Sequence, residues 1–375
     1  MPLWQEHRQG SFVLLIEGCK MRVLVVATGR KTRGGITNVV KVHEQGEQWK
    51  KYHCRWIETH RDGYFLRKLW YFVTALVEYV CVLPFYQVVH IHVATTQSAK
   101  RKLVFYRIAR LCRKKIICHF HPANERFLYE PGVANLYKEM FGGADLVLVL
   151  APQWKIWIKE SLGDGPWMEK MEVLYNPCPQ VVRRPDIKKK EQILYAATIV
   201  KRKGYDIQLK AFAKIAARYP EWNMVLAGNP WLKEGIDELA DGKRIAEELG
   251  ISNRITWLPW QSGEDKDRLF IESSIFCLAS DGEGFPMAVL DAWAYGVACI
   301  VTPVGGIPGV VTDGEEVLLF PIGDVDKMAE QMERLIKDET LRNHLVAKAD
   351  ELCERLFSPD CVNKRLGEIY LRFEV

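Results

Sequence analysis

Two acids stand eight positions apart in the segment Asp281-Gly282-Glu283-Gly284-Phe285-Pro286-Met287-Ala288-Val289-Leu290-Asp291-Ala292-Trp293-Ala294-Tyr295-Gly296. The apolar run before it, Ile275–Ala279, reads as a strand. Pro286 suits a first helical turn and Gly296 suits a helix stop. A helix that starts just after a strand offers free backbone N–H groups and a positive dipole end to an anion. Glu283 sits at that mouth, and Asp291 lies a little over two turns along. The two carboxylates can therefore accept hydrogen bonds from different hydroxyls of an extended polyol. A capping acid with a solvated aspartate is the plainer reading of the acids alone; the strand–loop–helix context points to a ligand.

A second group is the basic turn of Tyr195-Ala196-Ala197-Thr198-Ile199-Val200-Lys201-Arg202-Lys203-Gly204. Lysine at a strand end can pair with a diphosphate, and Gly204 lets the backbone approach it. A solvated basic turn is the alternative. Gly34 and Gly35 follow the first strand, where glycine lets N–H groups come close to a ligand, although an ordinary turn uses the same residues. The run Ile117-Cys118-His119-Phe120-His121-Pro122 ends another strand, and alternation points His119 and His121 to one face. That face could bind a metal, but no third ligand is evident, and no carboxylate pair suits a divalent ion; no metal is expected. His92, in Val89-His90-Ile91-His92, ends a similar strand, where contact with an acceptor and plain burial are both open.

The elements that must position these residues alternate along the whole chain. Arg22–Thr28, Cys54–Thr59, Val88–Val93, Lys115–His121, Asp145–Ala151 and Glu172–Tyr175 read as strands, with helical patterns such as Ser98–Cys112 and Gln153–Ser161 between them. Asn176-Pro177-Cys178-Pro179 and the charged run from Arg183 to Glu191 mark a linker. A second series follows: Gln192–Ala197, Asn223–Ala227, Arg254–Leu258, Ile275–Ala279 and Ala298–Thr302. Asp324 to Phe373 is helical and is broken at Ser358-Pro359. β-α-β alternation implies parallel, doubly wound sheets, an α/β class. Two such domains around one linker, within 375 residues, turn the carboxyl ends of both sheets toward a shared cleft, where ligands of such sheets bind.

Bulk properties narrow the partners. Residues 1–180 hold 26 basic and 15 acidic side chains, and residues 181–375 hold 26 and 32. The basic front half favours an anionic partner such as a lipid phosphate or an anionic membrane surface, beside the reading of a solvated helix face. The basic residues of 100–115 lack interleaved base-stacking aromatics, so no nucleic acid is expected. The apolar stretch from Leu66 to Pro84 reads as a buried helix, with a membrane-dipping helix as the alternative. Ten cysteines without a C-x-x-C pair read as reduced thiols of a cytoplasmic protein, peripheral on the inner membrane face if it meets a membrane. Residues 1–20 do not read as a signal peptide, because Phe12–Ile16 is too short an apolar core. An upstream-start extension and a disordered tail are both open.

The acid-bearing segment resembles the signature of glycosyltransferase family 4, the retaining GT-B enzymes, in which two glutamates are separated by seven residues. Val301-Thr302-Pro303-Val304-Gly305-Gly306-Ile307-Pro308 and Asp313-Gly314-Glu315-Glu316 are similar to the family as well, and so is the Lys203-Gly204 pair. The resemblance implies a GT-B fold, two Rossmann-like domains facing a central cleft. It also implies that Glu283 binds hydroxyls of the donor sugar and that the second acid, here Asp291, binds the ribose. Backbone amides near Gly284, Phe285, Pro286, Met287 and Ala288 would meet the sugar and diphosphate. Gly34 and Gly35 match the family's glycine loop, and His121 matches its histidine facing the reacting sugar. The chain departs from the pattern at Asp291, one methylene shorter than glutamate, and at Ala197-Thr198, which replace a Gly-Arg pair. Lys201 or Arg202 can substitute for that missing cation.

The expected organisation is an extension (1–20), an acceptor-side domain (21–182), a linker (183–191), a donor domain (192–357) and a last helix returning to the first domain (358–375). The expected activity is metal-independent, cofactor-free retaining transfer of a sugar from a UDP- or GDP-sugar to a saccharide or lipid-linked saccharide acceptor. A GT-B sugar-nucleotide epimerase and a non-catalytic nucleotide-sugar binding protein are the rivals.

Overall fold

Strands that are apolar on both faces need cover on both faces, and this decides the architecture. The computed structural model describes residues 21–374 apart from 33, 62, 131, 185 and 231–236; the expected extension, 1–20, lies outside the described residues. Six strands form the first sheet: β1 (Val23–Ala27), β2 (Arg55–Glu58), β3 (Val88–Val93), β4 (Lys115–Phe120), β5 (Leu146–Val149) and β6 (Met171–Val173). The second comprises β7 (Lys190–Ala196), β8 (Asn223–Ala227), β9 (Ile255–Leu258), β10 (Ser273–Leu278), β11 (Ala298–Val301) and β12 (Leu318–Leu319). All pairings are parallel. The orders are β2-β1-β3-β4-β5-β6 and β12-β11-β10-β7-β8-β9. β7 begins at Lys190, inside the stretch expected to be linker, and the two-residue β12 is too short to read from alternation.

The helices of the first half are α1 (Gly35–Gln45), α2 (Glu47–Lys51), α3 (Phe65–Val82), α4 (Thr96–Leu111), α5 (Val133–Gly143) and α6 (Pro152–Leu162). Those of the second are α7 (Tyr205–Ala216), α8 (Glu238–Glu248), α9 (Glu264–Glu272), α10 (Met287–Ala294), α11 (Val325–Lys337), α12 (Glu339–Leu352) and α13 (Pro359–Leu371). Asp324, Asp338 and Ser358 accept backbone N–H bonds at the starts of α11, α12 and α13, so the long helical tail is three capped helices.

One face of the first sheet packs Leu24, Val26, Ile91 and Phe120 into the main apolar core. The other packs Val23, Val25, Val88 and Ile117 against Val362, Leu366, Ile369 and Tyr370 of α13. The last helix thus covers a sheet made from the first half of the chain. Two crossings join the halves, and they touch: the Cys178 N–H donates to Phe357 O at 2.7 Å, and Cys178 Sγ lies 3.4 Å from Cys353 Sγ. Arg183, in the expected linker, clasps the Asp350 carboxylate and donates to the carbonyls of Trp293 and Ala294. The first link between the domains is therefore pinned to the second domain's own helices.

Candidate active site

Strand order reverses direction between β1 and β3 in the first sheet and between β7 and β10 in the second. Ligands of open parallel sheets bind in the crevice at such switch points, beyond the strands' carboxyl ends. The Lys201–Lys203 turn follows β7, and Glu283 follows β10, so the second sheet's switch point carries both of the groups singled out from the sequence.

Lys203 Nζ donates to Glu283 Oε1, and the Ser280 hydroxyl donates to the same oxygen at 2.7 Å. Both partners of the ion pair are largely shielded from water. Glu283 Oε2 has no protein hydrogen bond among the described residues. An ionised carboxylate accepts about four hydrogen bonds, so the free oxygen can take donors from a ligand. Arg202 donates to Gly282 O, and the Asp281 N–H donates to Arg202 O at 2.9 Å, which ties the basic turn to the acid loop. Gly204 has φ 71°, and a Cβ there would run into Ala279 O at the end of β10. Only glycine brings the two strand ends this close.

Lys201 turns away from this cluster. Its Nζ lies 3.6 Å from Asp241 of α8, with the side chain about two-thirds exposed. Asp291 is on the inward side of α10 and pairs with Lys266 of α9 at 2.7 Å. Burial raises the Asp291 carboxyl above the ordinary range, and Lys266 opposes that rise. Lys266 and Ser280 are partners that the sequence did not single out. Lys266 comes from a segment with no motif of its own, and Ser280 stands between the strand and the acid-bearing segment.

The first domain closes over this loop. A Cβ on Gly284 would collide with Pro122 O, and one on Gly282 would press on the Asn124 side chain. Gly35 faces Met287 in the same way, at 3.3 Å. The Trp154 indole N–H donates to Gly284 O at 2.8 Å across the cleft, and Arg126 lies 3.4 Å from Asp281. Gly35 and the residues just after His121 are therefore brought against Gly282, Gly284 and Met287, while a Cβ on Gly34 would meet open space. Phe285 is buried, and Pro286 caps α10, whose first residues are Met287 and Ala288.

His121 is almost fully buried beside the cleft, and its Nε2 is 3.0 Å from His92 Nδ1. His92 is completely buried behind it, so the expected contact between His92 and an acceptor gives way to a supporting position: its ring can fix the tautomer and orientation of His121. His119, His90 and His43 extend the group inward. His90 reaches Tyr370 O–H at 2.7 Å and His43 reaches Asn363 Oδ1 at 3.0 Å. Burial pushes His43 down to about 4 and His90 to about 3, and holds His92, His119 and His121 well below the usual range. Lys102, buried on α4 with its ammonium on His92 O and Ser98 Oγ, is lowered by burial to about 7 and further disfavours a charge on His121.

His90 and His92 supply the neighbours that the sequence could not place beside His119, and the ligand atoms of the three lie within 4.8 Å of one another. His90 stacks on both other rings, however, with interplanar angles of 23° to His92 and 17° to His119, and His92 and His119 are tilted by 39°. Lone pairs lie in the ring planes. Near-parallel planes keep them side by side rather than converging on one point, which a metal ion needs.

Known proteins resemble this chain in part of its sequence and in its fold. Residues 181–352 match the family described as glycosyl transferases group 1. An exopolysaccharide phosphotransferase of Streptomyces coelicolor is 28% identical over 229 residues, 60% of this chain and 23% of that protein. The lipopolysaccharide core biosynthesis glycosyltransferase LpsE of Rhizobium meliloti is 26% identical over 171 residues, 45% of this chain and 46% of that one. The chain thus spans less than half the length of these relatives. Among solved structures, Anabaena HepE in complex with UDP and glucose superposes with a TM-score of 0.73 at 15% identity, over 94% of this chain and 100% of that one. The fold is GT-B.

Proposed function

We propose that the chain transfers a sugar from a nucleotide-sugar donor, a UDP- or GDP-sugar, to an acceptor hydroxyl in polysaccharide or lipid-linked glycan synthesis, with retention at the anomeric carbon. The observation that carries this reading is the Lys203–Glu283–Ser280 cluster at the switch point of the second sheet, closed over by the loop that follows His121. The group 1 match over 181–352 and the polysaccharide and lipopolysaccharide names of the relatives support it.

The roles follow from charge and position. The bond from the anomeric carbon to the donor phosphate breaks, and the leaving diphosphate gains negative charge. Lys203 and the amino end of α10 stand where that charge develops and stabilise it. Glu283 Oε2 accepts from the sugar's hydroxyls. His121, kept neutral by burial, meets the sugar as a hydrogen-bonding group and brings no repelling charge to a carbon that becomes cationic. The acceptor oxygen bonds to the anomeric carbon on the face the phosphate leaves, and its proton passes to a phosphate oxygen. No metal or organic cofactor has a role in this scheme.

A panel of UDP- and GDP-sugars tests it, read as thermal stabilisation and as release of nucleoside diphosphate with and without acceptor. One donor is expected to stabilise the protein and to turn over undiminished in EDTA. Loss of turnover in EDTA, restored by magnesium or manganese, would refute the metal-free scheme. Release of nucleoside monophosphate would mean transfer of a sugar phosphate instead. Free sugar formed at the same rate without any acceptor would point to an epimerase.

A further inference from the structure

Helix α3 is apolar on two sides. Ala75 and Tyr79 on its inner side, and Leu83 just beyond its end, are buried, and the Tyr79 hydroxyl donates to Phe105 O of α4 at 2.9 Å. A second stripe, Leu66, Trp70, Val73, Val77 and Val80, recurs at helical spacing and faces out. Leu66 is 77% exposed, Trp70 69% and Val77 59%, and Phe85 just beyond the helix is 63% exposed. The sequence reading of a wholly buried helix is thus half right: one side is core and the other is open. A soluble helix ordinarily turns charge toward solvent, and one apolar all round needs a second apolar environment.

Among the described residues, Leu66–Phe85 is the stretch long and apolar enough to cross a membrane. Spanning would tear Tyr79 and Leu83 out of the core, so α3 can only lie along an interface, with one side in protein and the other in the acyl boundary. The charge around it selects the occupant. Residues 61–115 carry eleven lysines and arginines against two acids; Lys102 is buried and Arg107 and Lys115 pair with Glu139 and Asp145, so the cations that bear on the stripe are those at the start of α3. Arg61 and Arg67 both sit over the Tyr71 ring at the start of the helix, at 5.3 and 6.0 Å, and Lys68 is exposed beside them. A second copy of this chain docked face to face would oppose these cations to their like. A bilayer containing anionic lipid would pair with them.

We propose that the outer stripe of α3 docks into the headgroup–acyl boundary of an anionic bilayer and sets the mouth of the cleft at the membrane surface. The connection from β2 to α3 begins at the carboxyl end of the sheet, where the His60 carbonyl accepts from the Gly29 N–H at 2.8 Å. His60, five residues before α3, is thereby held against Gly29 and Thr32 of the loop that runs on to Gly34 and Gly35. A saccharide acceptor on a lipid anchor would reach the cleft from that side. This last step rests on the transferase reading; the docking does not.

The test is sedimentation of the full chain with phosphatidylcholine vesicles, with and without phosphatidylglycerol, at low and high salt. Wild type is expected to bind the anionic vesicles and to lose most of that binding in high salt. The triple variant Leu66→Ser, Trp70→Ser, Val77→Ser should bind about tenfold or more weakly, and so should Arg67→Glu, Lys68→Glu. Thermal stability and stabilisation by nucleotide-sugars should stay at wild-type values in both, which separates failed docking from failed folding and from a wrong donor site. Equal binding of wild type and triple variant would overturn the proposal, as would wild type that ignores anionic vesicles. A wild-type dimer that the triple variant dissolves, without vesicle binding, would assign the stripe to self-association.

Discussion

Lys203 and Lys201 look interchangeable as residues in a basic turn, yet the structure gives them different work. Lys203 is shielded and bound to Glu283, so removing it strands a buried carboxylate besides the proposed phosphate contact. Breaking one partner of a buried pair costs about 3–5 kcal/mol. Lys203→Ala is expected to lose thermal stability and donor affinity together. Lys201→Ala should leave both close to wild type, because an exposed bridge contributes about 0–1 kcal/mol. Donor titration of the two variants decides; equal impairment would restore Lys201 to the site. Glu283→Gln keeps the shape and a hydrogen-bonding oxygen but loses the charge, and should lower kcat/KM by about ten- to a hundredfold with the fold intact. Near wild-type turnover would remove Glu283 from the chemistry. Glu283, Lys203 and Gly204 were legible because a strand end, a turn and a helix start announce themselves locally. That Lys203 reaches Glu283, and Lys266 reaches Asp291, was not: each pair joins two segments whose order in the sheet no local pattern records.

Strand β3 places His90 and His92, and β4 with the residue just past it places His119 and His121, on the sheet face covered by α1 and α13, and His43 of α1 adds a fifth buried ring. Alternation revealed the shared face of His119 and His121. It could not reveal the cover, because Asn363 and Tyr370 lie 320 and 280 positions away from the rings they touch. The group has a consequence for stability. His43 and His90 titrate at about 4 and about 3 in the fold, against 6.5 when unfolded. The unfolded chain therefore binds more protons across that window. Stability is full above pH 6.5 and is lost as pH falls toward 4 and then 3. Each such histidine contributes a slope of about 1.4 kcal/mol per pH unit, so these two alone remove about 4 kcal/mol at pH 5. Lys102, Tyr370 and the other three histidines face them, and each of those histidines steepens the fall. Thermal unfolding followed from pH 8 to 5 should show a steep drop below 6.5, shallower in His90→Gln. A melting temperature flat over that range would contradict a neutral, buried cluster. Helix α3 teaches the complementary lesson: its composition was plain in the sequence, but which of two apolar sides would find protein was decided only by where α4 lies.

Activity of a two-domain enzyme depends on how closely its halves meet, and here glycines set the distance. Gly284 ends the acid loop with its carbonyl bonded to the Trp154 indole and its α-carbon against Pro122 O. No rotamer change relieves a collision with backbone, so Gly284→Ala must push the loop and the first domain apart. The proposed donor groups Lys203, Glu283 and Asp291 all belong to the second domain and move with it. His121 belongs to the first and is left behind. Donor affinity is therefore expected to fall only a few-fold, as ordinary contacts at the loop are disturbed. Transfer should fall by about a hundredfold, the usual consequence of misplacing a reacting group by about 1 Å. Trp154→Phe removes the cross-domain hydrogen bond without a clash and should give a milder loss of turnover in the same direction, about 1 kcal/mol or five- to tenfold. Small-angle scattering supplies the readout that a local defect would not change: Gly284→Ala should be more open than wild type with donor bound, and Trp154→Phe should lie between. Equal loss of donor affinity and of transfer in Gly284→Ala, with scattering unchanged, would mean that the glycine serves the donor pocket alone and that the cleft is held shut elsewhere.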